Sequence, residues 1–267
     1  MSSIGQRLES WELLLEEQLS APEWSLQCYV QVPSTMDAAR DLCAVLPNGA
    51  AGLVLAADQT AGRGRQGRAW LAPEEGFFGT FVFRLSAPPS NVAAFTLAAG
   101  VVVAQALEPL GVKCQLKWPN DLVSAEGKKF SGILTELVST DAGNFILTGI
   151  GINLKGATAS SPRSASIYDI TGRSLSAPGL AVKLAVPLKE AFHRFETHGL
   201  AAFRSAWLAR AFGMGLEMMV DTGSGIQSGT LYGISEQGLL QLRSREQITE
   251  IISGHVISVG NIYAASN

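Results

Sequence analysis

The chain has 267 residues, 47% of them apolar, and a formal net charge of −3. That apolar fraction excludes global disorder, and the mildly acidic balance excludes a dedicated nucleic-acid binder, which needs a basic surplus. The length suits one sizeable domain, or one domain with a small appendage. Cys28, Cys43 and Cys114 lie far apart and form no Cys-x-x-Cys pair. They predict buried, reduced thiols in a cytoplasmic protein and give no support to a zinc or redox motif. No basic segment followed by an apolar core opens the chain, so no signal peptide is expected.

Ile4, Leu8, Trp11, Leu15 and Leu19 recur at helical spacing and predict one amphipathic helix over residues 4–19. Residues 27–32 read as a strand leading into Pro33-Ser34-Thr35, and 37–46 as a helix ended by Pro47-Asn48-Gly49. Strand-like runs follow at 53–57, 77–85, 112–116, 130–138 and 145–151. Residues 92–107 approach the length of a membrane span, but Thr96 and Gln105 interrupt them and the alanines permit close packing. A buried helix is expected there, capped by Ser90 or Asn91. Strands that alternate with helices but also run back to back imply an α+β fold, a mixed sheet covered on one face.

Residues 157–178 read as connection with a short helical insert, and 178–197 and 200–212 as helices. After Gly215 the texture changes to short runs at 218–220, 229–234, 239–242, 247–252 and 256–259. Gly223-Ser224-Gly225 and Glu236-Gln237-Gly238 signal hairpins between them. This tail reads as a small barrel or as an extension of the main sheet, and strand spacing favours the barrel.

The most informative segment is Gly62-Arg63-Gly64-Arg65-Gln66-Gly67-Arg68-Ala69-Trp70. Glycines allow a tight bend around a ligand, and three crowded arginines repel one another without an anionic partner. Such a loop suits a polyanion carrying a ring or an aliphatic tail, with Trp70 as an apolar wall. The glycines also match the Gly-x-Gly-x-x-Gly dinucleotide fingerprint, but that motif needs a helix at its last glycine. Here residues 71–76 read as turn and loop, so the fingerprint is rejected; a merely solvated basic turn is the plainer alternative.

Two further segments, Lys117-Trp118-Pro119-Asn120-Asp121 and Lys128-Lys129-Phe130-Ser131-Gly132-Ile133-Leu134, complete a recognisable order. With Ser34-Thr35 and Asp58-Gln59-Thr60 upstream and Gly149-Ile150-Gly151-Ile152-Asn153 downstream, the chain resembles the biotin protein ligases from about Ser34 to Asn153. The resemblance implies a class II aminoacyl-tRNA-synthetase/biotin-synthetase-like catalytic domain over 1–214. It also implies an SH3-like β-barrel over 215–267. A single N-terminal helix leaves no room for the helix-turn-helix repressor module of some relatives, which implies the enzyme-only type.

The implied reaction uses ATP to activate biotin as biotinyl-5′-AMP, then transfers it to a lysine of a biotin carboxyl carrier protein. Mg²⁺ would arrive with ATP, held mostly by phosphate and water, with no metal-ligating protein cluster. By resemblance, Arg63, Gly64 and Arg65 clamp biotin's carboxylate and the adenylate phosphate. Gly62 opens the loop, Arg68 reaches the outer phosphates, and Trp70 walls the adenine or biotin side. Lys129 is the critical cation, with Gly132 allowing close approach and Lys128 facing solvent. Lys117 and Asn120 serve the ATP phosphates and their metal. Asp121, the third catalytic candidate beside Lys129 and Arg65, orients or deprotonates the incoming lysine, or else caps a turn; Pro119 would hold these residues in an extended turn. Ser34, Thr35 and Gln59 meet biotin's uncharged ureido head, and Asn153 meets the nucleotide.

Two departures stand out: Met36 follows Ser34-Thr35 where the family often has Asn, and Gly76-Phe77-Phe78-Gly79 stands where Gly-Asn-Leu is common. His193, His198 and His255 have no partners at ligand spacing and are given no role. A lipoate or octanoate transferase, or a non-catalytic biotin sensor, are the competing readings. The polar Ser34, Thr35 and Gln59 speak against the first, and the phosphate-seeking cations Arg65, Lys117 and Lys129 against the second. The reading requires neither nucleic acid nor membrane and is compatible with a homodimer.

Overall fold

A computed structural model gives the fold and describes residues 3–19, 22–71, 73–86, 91–156 and 163–263. In chain order it runs α1 (Ser3–Gln18), β1 (Trp24–Val32), α2 (Thr35–Cys43), β2 (Ala51–Gln59), β3 (Glu75–Arg84) and α3 (Ala93–Leu107). Then come β4 (Gln115–Lys117), β5 (Asp121–Val123), β6 (Lys129–Thr140), β7 (Gly143–Lys155), α4 (Ile167–Thr171), α5 (Ala177–His198) and α6 (Ala201–Leu208). Six strands close the chain: β8 (Glu217–Asp221), β9 (Ile226–Ile234), β10 (Leu240–Ser244), β11 (Gln247–Ile251), β12 (His255–Val259) and β13 (Ile262–Tyr263).

Seven strands form a mixed sheet in the order β1-β2-β3-β7-β6-β5-β4, with β1 parallel to β2 and the remaining pairs antiparallel. Side chains alternate between the two faces of a strand, and here both faces are put to use. Leu53, Leu55, Phe81, Phe83 and Ile146 join the main core with α1, α3, α5 and α6. Their neighbours Val54, Val82, Phe145 and Leu147 form a smaller cluster under Met36, Ala39, Leu42 and Cys43 of α2. The expectation of a sheet covered on one face is therefore corrected: α2 covers part of the second face.

The apolar stretch expected to be a buried helix is α3. Ala94, Phe95, Ala98, Ala99, Val101 and Val103 are all core residues, and Phe95 packs edge-on against Phe83 and Phe192. Val92 is the N-cap position of this helix, and Asn91 Oδ1, one residue earlier, accepts from Ala94 N–H (3.3 Å) in its first turn. Ser90, and residues 157–162 of the expected connection, lie outside the described residues.

The six C-terminal strands pair among themselves in the order β11-β10-β9-β8-β12-β13, a separate antiparallel sheet and not an extension of the first. Their apolar side chains Met218, Val220, Leu231, Leu240 and Val256 nevertheless belong to the same core cluster as α3 and α6. Other boundaries move. Residues 112–114 are not strand, and β4 is three residues long. The helix expected to run to residue 212 ends at Leu208. Residues 121–123, unassigned in sequence, form β5.

Candidate functional site

The arginine loop closes on itself. Gly64 N–H donates to Arg68 C=O (2.7 Å), Trp70 N–H to Gly62 C=O (2.8 Å), and Arg63 bridges Ala69. Gln66 (φ 57°) and Gly67 (φ 73°) turn the chain at the tip, a conformation glycine adopts without penalty. Arg63 pairs with Asp37 on α2, which ties one side of the loop to the sheet's second face.

Beneath the loop lies a cleft of about 940 Å³, counted out to its open mouth. Five cations line it: Arg63, Arg65, Arg68, Lys117 and Lys129. Among the described residues, Asp121 is the sole carboxylate in the lining.

Two antiparallel strands bring Lys117 and Asp121 together as direct cross-strand partners. The expected extended turn is a tight one, Trp118–Asn120, with a cis Trp118–Pro119 peptide. Lys129 opens β6 and is strapped to the 163–165 segment through both its main-chain groups, its N–H donating to Arg163 C=O (2.9 Å) and its C=O accepting from Ala165 N–H (2.8 Å). Its Nζ then lies 2.9 Å from Asp121 Oδ1, while Lys117 Nζ is 3.9 Å from Oδ2. Lys128, just ahead of the strand, is exposed as expected.

Burial alone would raise the Asp121 carboxyl, but Lys129 and Lys117 outweigh it and hold the pKa below the ordinary carboxylate range. Asp121 is thereby a fixed anion and a weak base. Burial pulls Lys117 down against the pull of Asp121, and pulls Arg65 down likewise, with Arg68 adding to the effect on Arg65. An anionic ligand entering here meets partly desolvated cations, which bind it more strongly than solvated ones would.

The floor of the cleft is bare backbone. Gly132 on β6 and Gly151 on β7 are register partners, and Gly149 lies two residues away on the same face. Trp70 lies flat on this floor: a Cβ on Gly151 would sit 2.7 Å from its Cζ2, and one on Gly132 2.9 Å from its Cζ3. Its ring also faces Lys129 Nζ at 5.4 Å, a cation–π contact that helps to hold the lysine in place.

One end of the cleft is neutral and polar. Gln59 Oε1 accepts from Thr35 N–H (2.8 Å) and Oγ1 (3.2 Å), and Thr80 Oγ1 donates to Thr35 Oγ1 (2.9 Å). A backbone N–H can only donate, so the oxygen of Gln59 faces Thr35 and its amide nitrogen is left as a donor. Ser34 plays a second part: its hydroxyl caps α2 by accepting from Met36 N–H. Met36 is buried in the lining, with its sulfur over Gly149.

The structure does not bring every expected residue to the cleft. Asn153 is buried outside the lining, and its Nδ2 donates to Ala165 C=O (2.9 Å). Gly62 is also outside the lining and shapes the loop from behind. Asn120 lines the cleft, with Nδ2 committed to Ile133 C=O (3.0 Å).

Conversely, the second sheet contributes Gly254, His255 and Val256. His255, given no role from sequence, lies in the lining; nothing around an isolated histidine in a tail strand signals that placement. Gly149 and Gly151 were legible in principle, because glycines two apart in a strand share one face. No group of three or more His, Cys, Asp or Glu capable of holding a metal occurs among the described residues. The three cysteines are free, and burial first of all pushes their thiols up to about 12, 11 and 12 for Cys28, Cys43 and Cys114.

Comparisons with known proteins agree with this geometry. The model of the biotin/lipoate A/B protein ligase family matches residues 28–153. The biotin–[acetyl-CoA-carboxylase] ligase of Paracoccus denitrificans is 36% identical over 204 residues, 71% of this chain and 83% of that protein. The bifunctional ligase/repressor BirA of Bacillus subtilis is 32% identical over 212 residues; the match covers 76% of this chain and 65% of that protein's length. Among solved structures, the biotin protein ligase of Aquifex aeolicus in complex with biotin and ATP superimposes with a TM-score of 0.73 at 29% identity. That superposition covers 87% of this chain and 97% of the other. Shared motifs, fold and relatives place this chain in the biotin protein ligase family.

Proposed function

We propose that the chain is an ATP-dependent ligase that makes biotinyl-5′-AMP from biotin and ATP. It then passes the biotinyl group to a lysine of a biotin carboxyl carrier protein. The observation that carries this reading is the composition of the cleft: five cations around one neutralised carboxylate, beside a neutral polar end and a glycine floor. A biotin sensor has no use for that many phosphate-seeking groups.

In the first step a biotin carboxylate oxygen attacks the α-phosphorus of ATP, and the bond to pyrophosphate breaks. Two anions must approach, so the main need is fixed positive charge already in place. Lys129, held by Asp121 and by Trp70, is positioned for that need, and Arg65 and Arg68 hang over the mouth to clamp the phosphates. Gln59 and Thr35 face the ureido head. Asp121 serves by fixing Lys129 and Lys117, a positioning role toward these cations in place of orienting or deprotonating the incoming lysine. Among the described residues the cleft offers no oxygen cage for Mg²⁺, since Asp121 is already taken by lysine; the ion would ride on the nucleotide's phosphates.

The test is incubation with labelled biotin and ATP, with and without carrier protein, alongside lipoate and octanoate as competitors. Biotin-dependent pyrophosphate release without carrier, and labelled carrier with it, are expected. Activation of lipoate or octanoate in preference to biotin, or biotin binding without pyrophosphate release, overturns the reading.

A further inference from the structure

His255 belongs to the second sheet, yet its ring lines the cleft beside the arginine loop and the three charged residues of β4, β5 and β6. The ring is half-buried, and its Nε2 is enclosed without a hydrogen-bond partner. An unpartnered enclosed ring nitrogen is costly and calls for an explanation. Lys117, Arg68 and Lys129 act against its protonation, Asp121 acts for it, and its cross-strand partner Asp221 is exposed and turned to Gly223 N–H (2.8 Å). Burial and the cations together lower its pKa, so the imidazole is neutral at physiological pH. It is thus a neutral base in a site where the one carboxylate is tied up by lysines.

A second cleft, lined by Thr96 and Leu97 of α3 and by Gln237 and the exposed Ile252 from loops of the second sheet, shares Arg65 and Asn120 with the first. It gives an extended peptide segment a route to the reaction centre that passes the second sheet.

We propose that His255 Nε2 accepts the proton of the acceptor lysine's ammonium during transfer, which makes the second sheet part of the catalytic site for that half-reaction. The inference rests on the ligase reading above. The lysine arrives as an ammonium, because its ordinary pKa lies near 10.4. One proton passes to Nε2; the free amine forms the new C–N bond at the acyl carbon. The C–O bond to phosphate breaks with its electron pair leaving on AMP. The second amine proton goes to the departing phosphate oxygen.

Preformed biotinyl-adenylate on the full-length enzyme tests this in single turnovers, with carrier lysine or hydroxylamine as acceptor, from pH 6 to 9. Hydroxylamine is a far weaker base than lysine, is largely unprotonated from about pH 7 upward, and needs no base there. His255→Gln and His255→Ala are each expected to slow lysine transfer on the order of 100-fold at pH 7, in the range of general-base catalysis. Hydroxylamine transfer and adenylate formation should fall less than threefold, and the lysine deficit should shrink as pH rises and free amine accumulates. Equal losses with both acceptors, a deficit independent of pH, or unchanged lysine transfer each overturn the role. The hydroxylamine arm also reports that the variant site is folded. Absence of any biotin-dependent adenylate in the unmodified protein would instead remove the ligase reading, and this role with it.

Discussion

Replacing Asp121 by Ala tests whether the cleft is a strained cluster of cations held by one anion. Asp121 lies 2.9 Å from Lys129 and 3.9 Å from Lys117, attractions of about 6 and about 4 kcal/mol at an effective dielectric of about 20. Desolvation of all three groups cancels most of that sum. What remains on deleting one partner is the cost of an uncompensated buried charge, about 3–5 kcal/mol. Lys117, 3% exposed at its side chain, carries most of this cost. For a chain of this size each kcal/mol moves Tm by about 2–4 °C, so the variant should melt roughly 6–20 °C lower at pH 7.

Two further readouts separate this cause from general damage. Saturating ATP supplies replacement negative charge and should narrow the gap. Acid should narrow it too, because the folded pKa of Asp121 is depressed below its ordinary 3.8. Its stabilisation is complete above the unfolded value and vanishes as pH falls through the lower folded one. Thermal melts of both proteins from pH 3 to 8, with and without nucleotide, make the comparison. A gap under 2 °C at pH 7, or one that neither ATP nor acid narrows, refutes the reasoning.

Lys129→Ala is expected to lower biotin-dependent pyrophosphate exchange about 100-fold or more, as for loss of a fixed charge at a transition state; near-normal exchange removes it from the catalytic set. Arg65→Gly should make adenylate but retain it poorly, since the loop no longer grips the phosphate over the cleft. Biotin should then appear on bystander proteins with exposed lysines, and labelling confined to the proper carrier would assign the retention elsewhere. Gly151→Ala would place a Cβ 2.7 Å from Trp70 and push the indole off the floor. Its KM for biotin should rise at least about tenfold by steady-state kinetics, and an unchanged KM would show that the floor is not the biotin seat.

Much of the main sheet was legible because its strands combine apolar alternation with clear turn residues, as in β2, β3 and β7. Failures came where local signals carried two meanings. Ser34 lines the cleft as a ligand contact would, but its hydroxyl also caps a helix, which starts at Thr35 and not at the expected Asp37. Val112 read as the start of a strand because it is β-branched; in the fold its N–H closes back on Leu107 C=O after the left-handed Gly111. Asn153, at the end of a glycine-rich strand, reads as a nucleotide contact, and the structure adds that its amide ties down the Ala165 segment. The charged members of the cleft were recoverable because their motifs are compact. His255 was not, since its neighbours in the cleft are more than a hundred residues away in sequence and no pattern within β12 points to them.

Trp118, inside the motif that carries Lys117, Asn120 and Asp121, donates its Nε1–H to Gly238 C=O (3.1 Å) in the β9–β10 turn of the second sheet. Just upstream, Leu116 exchanges main-chain hydrogen bonds with Arg210 and Phe212 (2.7 and 2.9 Å). The short hairpin that carries the charged pair is thus moored to the segment leading into the tail. Such mooring makes site and tail thermodynamically linked, and linkage runs both ways. Whatever steadies the tail readies the hairpin. Filling the cleft should in turn slow amide exchange in β9 and β10, none of whose residues lines it.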